Sequence, residues 1–193
     1  GGILEVGRSP NSLDSIAINF SDLLEAQGID HVFVSAYVAI LAGRPRSTEA
    51  IDVLIEQIDE EQAAEFVDTL EARGYWGPAA PLDDFHSHLA EGSNIWVAPR
   101  DDITPHLEVK FVSDEFDRAS LEGSILARLE SEAIPIGPLE LQIAYKLYLG
   151  THQDFEDAVH LYSLFEESLR RGQLERWCEN LGVSDEYDRL RRS

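Results

Sequence analysis

The sequence predicts an α/β chain of the α+β kind, with a small mixed sheet followed by a C-terminal helical bundle. Three observations predict it. Short apolar runs with strand-like alternation recur at residues 31–35, 51–55, 94–98 and 106–112. Helix-periodic segments separate them. From residue 139 onward the pattern is helical almost throughout. A chain of 193 residues, 44% of them hydrophobic, can bury a sizeable core and is not composed like a disordered one.

Each element has its local reason. Residues 1–11 read as an irregular tail. Ser12 or Asp14 can cap a helix to about Gln27, with Leu13, Ile16, Phe20, Leu23 and Leu24 on one face and Gly28 at its end. The apolar run His31–Ser35 is a first strand, and Tyr37–Leu41 is a short helix stopped by Gly43. Ile51–Ile55 is a second strand. Asp59 caps the next helix, with Ala63, Phe66, Val67 and Leu70 at helical spacing and Gly74 after it. The run Gly77-Pro78-Ala79-Ala80-Pro81 is a loop, and Leu82–Ala90 is a short helix. Asn94–Ala98 and His106–Val112 are strands around a turn at Pro99-Arg100-Asp101-Asp102.

After Asp114 come a short helix, an extended piece at Ile125–Leu129 and a break at Pro135-Ile136-Gly137-Pro138. Helices at 139–149, 154–171, 173–181 and 184–192 follow. The expected organisation is a tail at 1–11, an α/β core at 12–115 and a mostly helical region at 116–193 packed on that core.

The charge balance is extreme: 37 acidic against 15 basic residues give a formal charge of −22, and the only lysines are Lys110 and Lys146. Such a surface repels itself in dilute salt and is screened within about 3 Å in molar salt. The acid-rich, lysine-poor composition resembles that of proteins from organisms with a salt-filled cytoplasm. An acidic partner for a basic protein is the alternative, but the acids are scattered through every segment and form no tail. The same charge argues against direct phosphate-backbone binding at low salt. Cys178 is the only cysteine, so no intrachain disulfide forms. No apolar run approaches the roughly 18 residues of a membrane span. No basic, apolar and small-residue segments follow one another as in a signal peptide. A cytoplasmic protein without membrane contact is expected.

One stretch carries chemistry: Val32-Phe33-Val34-Ser35-Ala36, then Arg44-Pro45-Arg46-Ser47-Thr48-Glu49-Ala50-Ile51-Asp52-Val53. It resembles the nucleotidyltransferase superfamily, close to its AbiEii-type and MNT-like, toxin-associated branch. The family pattern is an apolar strand ending in Gly-Gly or Gly-Ser, a segment commonly holding Arg-x-Thr, and Asp-x-Asp on the next strand. Here Arg46-Ser47-Thr48 matches the middle part. Alternate strand residues share a face, so Asp-x-Asp sets two carboxylates side by side. With a third, they hold Mg²⁺ ions that orient a nucleotide's phosphates. The resemblance makes Asp52 and Glu108 the metal carboxylates, and Ser35, Arg44, Arg46 and Thr48 nucleotide contacts.

The departures weigh as much. Ser35-Ala36 stands where Gly-Gly or Gly-Ser is expected, and Ala50 stands where the first aspartate is expected. Glu49 cannot replace it, because a one-residue offset points to the opposite face. Asp52 and Glu108 alone would hold one Mg²⁺ weakly, with water completing its octahedron, and suit a two-metal transfer poorly.

A second part of the resemblance covers Pro138–Lys146 and His152–Val159. It implies that Lys146 faces phosphate, a task for which a compact ammonium is suited. It implies that Asp154 or Asp157 orients the lysine or serves as base. The function it implies is a nucleotidyltransferase-fold protein that has lost catalysis and keeps nucleotide or partner binding. One alternative is an active Mg²⁺-dependent enzyme moving a nucleotidyl group from an NTP to RNA or protein, with an antitoxin-like protein partner. The other is a plain interaction module using the C-terminal helices.

Plainer roles stand beside these. Asp52 can be a solvated strand residue, and Glu108 can pair with Lys110. Lys146 can pair with Glu140, Asp154 or Asp157. Asp154 can be an N-cap. Arg44 and Arg46 can neutralise nearby acids. His86 and His88, two apart on a helix, do not face each other and make no metal site. No Ser/His/Asp order, Walker loop, paired-cysteine motif or dinucleotide fingerprint is present.

Overall fold

A computed structural model describes residues 2–193. Its strands are β1 (Ile3–Glu5), β2 (His31–Val34), β3 (Ala50–Ile55), β4 (Tyr75–Trp76), β5 (Ile95–Pro99), β6 (His106–Phe111), β7 (Ile125–Leu129) and β8 (Glu132–Ile136). Its helices are α1 (Ser12–Ala26), α2 (Ala36–Leu41), α3 (Glu60–Ala72), α4 (Phe85–Ala90), α5 (Glu115–Glu122), α6 (Leu139–Leu149), α7 (His152–Phe165), α8 (Arg171–Asn180) and α9 (Ser184–Arg191).

The strands form one mixed sheet in the order β1-β7-β8-β2-β3-β6-β5-β4. β3 runs antiparallel to β2 and parallel to β6. The parallel register sets Ala50 beside His106, Asp52 beside Glu108 and Leu54 beside Lys110. Ile51, Val53 and Ile55 point to the main core, which also takes Phe20, Phe33, Phe66 and Val109. The other face is thinner. Val32, Leu54 and Val112 make a small apolar cluster there, with Val34 and Leu121 against it. This second face carries Asp52 and Glu108 out of the main core.

Several boundaries differ from expectation. The stretch read as an irregular tail contains β1, which pairs parallel with β7 through Ile3↔Leu126 and Glu5↔Arg128. A three-residue strand with one buried side chain has too little alternation to be read locally. Downstream, β7 and β8 form a hairpin that joins the sheet, so the division expected at 115 and 116 runs through the sheet. Pro135 disguised β8. A proline has no N–H to give, and β2 meets β8 only at Phe33↔Ile136.

The caps shift as well. Asn11 caps α1, accepting from the Asp14 N–H while the Asp14 carboxylate accepts from Asn11 N–H. Asp14 is thereby drawn inside and takes bonds from Arg8 and from the Tyr37 hydroxyl. Thr151, and not Asp154, caps α7, and that helix ends at Phe165 instead of running to 171.

Candidate functional site

The site is built where β2, β3, β6 and α6 meet. Asp52 and Glu108 are register partners on adjacent strands, on the same face. Their carboxyl groups are near enough for the charge of one to disfavour ionisation of the other. Burial pushes Asp52 up to about 7, and the charge of Glu108 pushes the same way. The charge of Lys146 opposes this. Glu108 does not pair with Lys110. Its Oε1 lies 3.1 Å from Nε2 of His106, whose ring stacks on Trp96 at 3.9 Å. His106 Nδ1 lies 3.1 Å from the Ile103 carbonyl oxygen.

Ser35 closes the turn from β2 into α2. Its backbone is at φ 69° and ψ −137°, a region that glycine enters freely and that costs another residue about 1–3 kcal/mol. The surroundings brace it. Ser35 N–H donates to Gln142 Oε1 at 2.7 Å, and Val38 N–H donates to the Ser35 carbonyl at 3.1 Å. Gln142 is buried, and its amide nitrogen would lie 2.4 Å from a Cβ on Gly137. Glycine at 137 is therefore a condition for this brace.

A cleft of about 270 Å³ opens onto Ser35, Asp52 and Glu108. Its walls include Leu54, Phe116, Tyr145 and Leu149, and Asn94, Lys110 and Asp117 sit among them. Phe116 and Tyr145 stack with ring centroids 5.1 Å apart.

A second cluster lies on α6 and α7. Asp157 is wholly buried. It accepts Lys146 Nζ at 2.9 Å, Arg44 Nε at 2.9 Å and Arg46 Nη1 at 2.6 Å. Burial alone would raise its pKa, but the bonds and charges of Lys146, Arg44 and Arg46 hold it below the usual carboxylate range. Arg44 Nη2 also donates to Glu156 at 2.7 Å, and Lys146 Nζ lies 3.8 Å from Asp154. The three cations thus face three acids of their own chain. Arg46 Nε is buried without a partner among the described residues. Thr48 bonds only locally, donating to the Ala50 carbonyl at 3.0 Å.

The structure therefore brings Ser35, Asp52 and Glu108 together in one cleft and gathers Arg44, Arg46 and Lys146 on Asp157, with the Lys146 charge still felt at Asp52. Asp154 sits at the edge of the second group, where Thr151 also donates to it at 2.6 Å. Sequence reasoning missed Gln142, Phe116, Tyr145 and His106. Gln142, Tyr145, Lys146 and Leu149 lie at helical spacing on α6, and that was the available signal. Among the described residues, no group of three His, Cys, Asp or Glu side chains could hold a metal ion. His86 Nε2 meets the Ile58 carbonyl, and His160 Nε2 that of Ala42. Burial pushes the Cys178 thiol up to about 12, so it is unreactive.

No family model matches the sequence, and no curated protein matches it. Solved structures do match the fold. An antigenic nucleotidyltransferase-like protein from Paracoccidioides brasiliensis superposes with a TM-score of 0.60, at 16% identity, over 95% of this chain and 94% of that one. The antibiotic-resistance factor ANT(2'')-Ia gives 0.53, at 10% identity, over 94% and 97%. The lincosamide antibiotic adenylyltransferase LnuA, solved with lincomycin, gives 0.52, at 16% identity, over 81% and 99%. The chain has a nucleotidyltransferase-like fold. These likenesses bear on the superfamily's fold and not on its AbiEii-type branch.

Proposed function

We propose that this nucleotidyltransferase-like fold is a ligand-binding protein in which two-metal nucleotidyl transfer has been lost. The observation that carries the reading is the register of β3 on β6. It leaves two carboxylates on the site face, while the next position on β3 offers only the methyl of Ala50, beside His106. Two-metal catalysis needs bridging oxygens from more than one pair of side chains. The Asp157 cluster supports the reading from a second side. Lys146, Arg44 and Arg46 are already neutralised by acids of their own chain, and phosphate would have to compete with a buried carboxylate for them. Asp52 and Glu108 would hold a single hydrated Mg²⁺ weakly, which would supply charge for a bound polyphosphate.

The alternative is an active enzyme, favoured by the convergence of Ser35, Asp52 and Glu108 in one cleft. Two of the structural neighbours are an antibiotic-resistance factor and an antibiotic adenylyltransferase, so a small-molecule acceptor belongs beside RNA or protein under this reading. Calorimetric titration with Mg²⁺ and a set of NTPs in molar KCl separates the two. Wild type should show no Mg²⁺-dependent transfer. Ala50→Asp should bind Mg²⁺ at least about tenfold more tightly, because the added carboxylate lies two residues from Asp52 on the same face. Wild-type turnover of Mg–NTP would sink the degenerate reading.

A further inference from the structure

Three acids are buried among the described residues: Asp14, Asp157 and Glu140. Two of them have cations. Arg8 pairs with Asp14, and Lys146, Arg44 and Arg46 gather on Asp157. Glu140, on the first turn of α6, is only 9% exposed, and among the described residues no cation stands at ion-pair distance from it. A buried glutamate is rarely left without one. One of its oxygens has a structural task. Oε2 accepts from Arg170 N–H at 2.9 Å at the start of α8, where a negative group also meets the positive end of the helix dipole. Oε1 accepts no bond. The unpartnered side-chain atoms closed off inside the described residues are Arg46 Nε, Ser120 Oγ and the Tyr187 hydroxyl, and Oε1 is not among them. It is therefore open to a ligand.

Glu140 lines a cavity of about 410 Å³ between β1, the start of β7, the first turn of α6 and the link from α7 to α8. That volume lies in the range of small-ligand sites. The cavity shares no lining residue with the cleft over Asp52. Ile3, Ile125, Leu139, Phe165 and Leu169 give it apolar walls, of which Leu139 and Leu169 are buried. Ser168 and Gln173 line it too. The Ser168 hydroxyl gives its proton to the Phe165 carbonyl at 3.0 Å, so towards a ligand its oxygen accepts. The Gln173 amide has no partner among the described residues, which leaves its oxygen free as a further acceptor. We propose that this cavity binds a small primary amine with an apolar body, its ammonium on Glu140 Oε1. An ammonium brings three donors, and Glu140, Ser168 and Gln173 offer acceptors. A guanidinium fork takes both oxygens of a carboxylate, and here Oε2 is already engaged. A divalent ion finds too few ligands, because no group of three metal-ligating side chains exists among the described residues. The other charged residues at the cavity, Glu122 and Arg170, are exposed, so the desolvated charge is that of Glu140.

The test titrates the whole chain with 2-phenylethylamine in molar KCl. At that salt the general pull of a net charge of −22 is screened, whereas a partly buried pair is screened less. Neither metal nor nucleotide enters, so the outcome is independent of the function proposed above. 2-Phenylethanol and 3-phenylpropionate keep the apolar body and remove or reverse the charge. The amine should bind at least about tenfold more tightly than either, the margin of one charge-assisted hydrogen bond. In wild type the amide signals of Arg170 and Gln173 should shift on binding, while those of Asp52 and Glu108 stay in place. Glu140→Gln keeps an oxygen for Arg170 N–H and loses the charge. It should melt close to wild type without ligand and bind the amine at least about tenfold more weakly. No binding to wild type at millimolar amine overturns the proposal. So does equal binding of the amine and the alcohol, or a set of shifts confined to the cleft over Asp52. Undiminished binding in Glu140→Gln overturns the role of the carboxylate. Should that variant fail to fold, the ligand series and the wild-type shifts decide alone.

Discussion

At the residue scale, two aspartates of opposite character decide the electrostatics. Asp157 is a buried anion that three cations need. Its pKa is held below the unfolded value, so its contribution is present above about pH 4 and is lost as pH falls through its lowered folded value. Asp157→Asn should therefore cost about 3–5 kcal/mol at neutral pH, since it strands buried positive charge, and the cost should shrink in acid. Asp52 is the reverse. Its folded pKa of about 7 stands above the ordinary value of 3.8, so the folded chain binds the proton more tightly than the unfolded one. Stability is then free of penalty below about pH 4 and falls as pH rises towards 7. Asp52→Asn should stabilise by about 2 kcal/mol above pH 7, a figure reduced for the water the open cleft admits, and should make little difference below pH 4. Urea midpoints of both variants at acid and alkaline pH give the two signs. A loss of stability in Asp52→Asn at pH 8 would contradict the account of the pair.

At the scale of elements, α6 does the assembling. Gln142, Tyr145, Lys146 and Leu149 share a face at helical spacing. One helix thereby sends an amide to the β2–α2 turn, a ring and an apolar side chain to the cleft wall, and an ammonium to α7. Gly150 ends it in the left-handed conformation, φ 74°, with its N–H on the Lys146 carbonyl. The tight turn that follows lets Thr151 start α7, which carries Asp157 back under Lys146. Gln142→Ala removes the acceptor for Ser35 N–H and leaves space beside Gly137. It should destabilise by about 2 kcal/mol, the cost of one unpaired buried donor. Amide exchange at Ser35 should accelerate more than at β3, because the turn loses its only side-chain brace. Equal protection of Ser35 in the variant would mean that the turn holds itself.

At the scale of the whole molecule, the sheet spans what the sequence divides. β1 from the N-terminus and the β7–β8 hairpin from beyond residue 115 complete it, and the helices after β8 pack on the same core. No helix among the described residues is long and apolar enough to cross a membrane. Acids outnumber bases more than two to one. Few of the charges are buried, so the excess lies at the surface. At low ionic strength these charges repel across about 10 Å, and in molar salt across about 3 Å. The melting temperature should accordingly rise by at least about 5 °C from low to molar KCl. A flat or falling curve would remove the salt-adapted reading of the composition.

The sequence by itself determined the class of the fold, most of the helices and the faces of the central strands. Those follow from periodicity, which is local. In Ala50–Ile55 the alternation of Ile51, Val53 and Ile55 with Ala50 and Asp52 already separates core from site. It also placed Asp52 and Glu108 on one face, through a resemblance that the fold upholds. Only the tertiary structure decided which groups meet. Asp52 reaches Glu108 because β3 takes β6 as its parallel neighbour, and Lys146 turns to Asp157 because α6 and α7 fold back on each other. Strand order and helix packing are set by burial across long sequence separations, and no local pattern encodes them. The same holds for Ser35. Its residue type is plain in the sequence, but its left-handed backbone and the bond that braces it, from Gln142 107 positions away, are visible only in the fold.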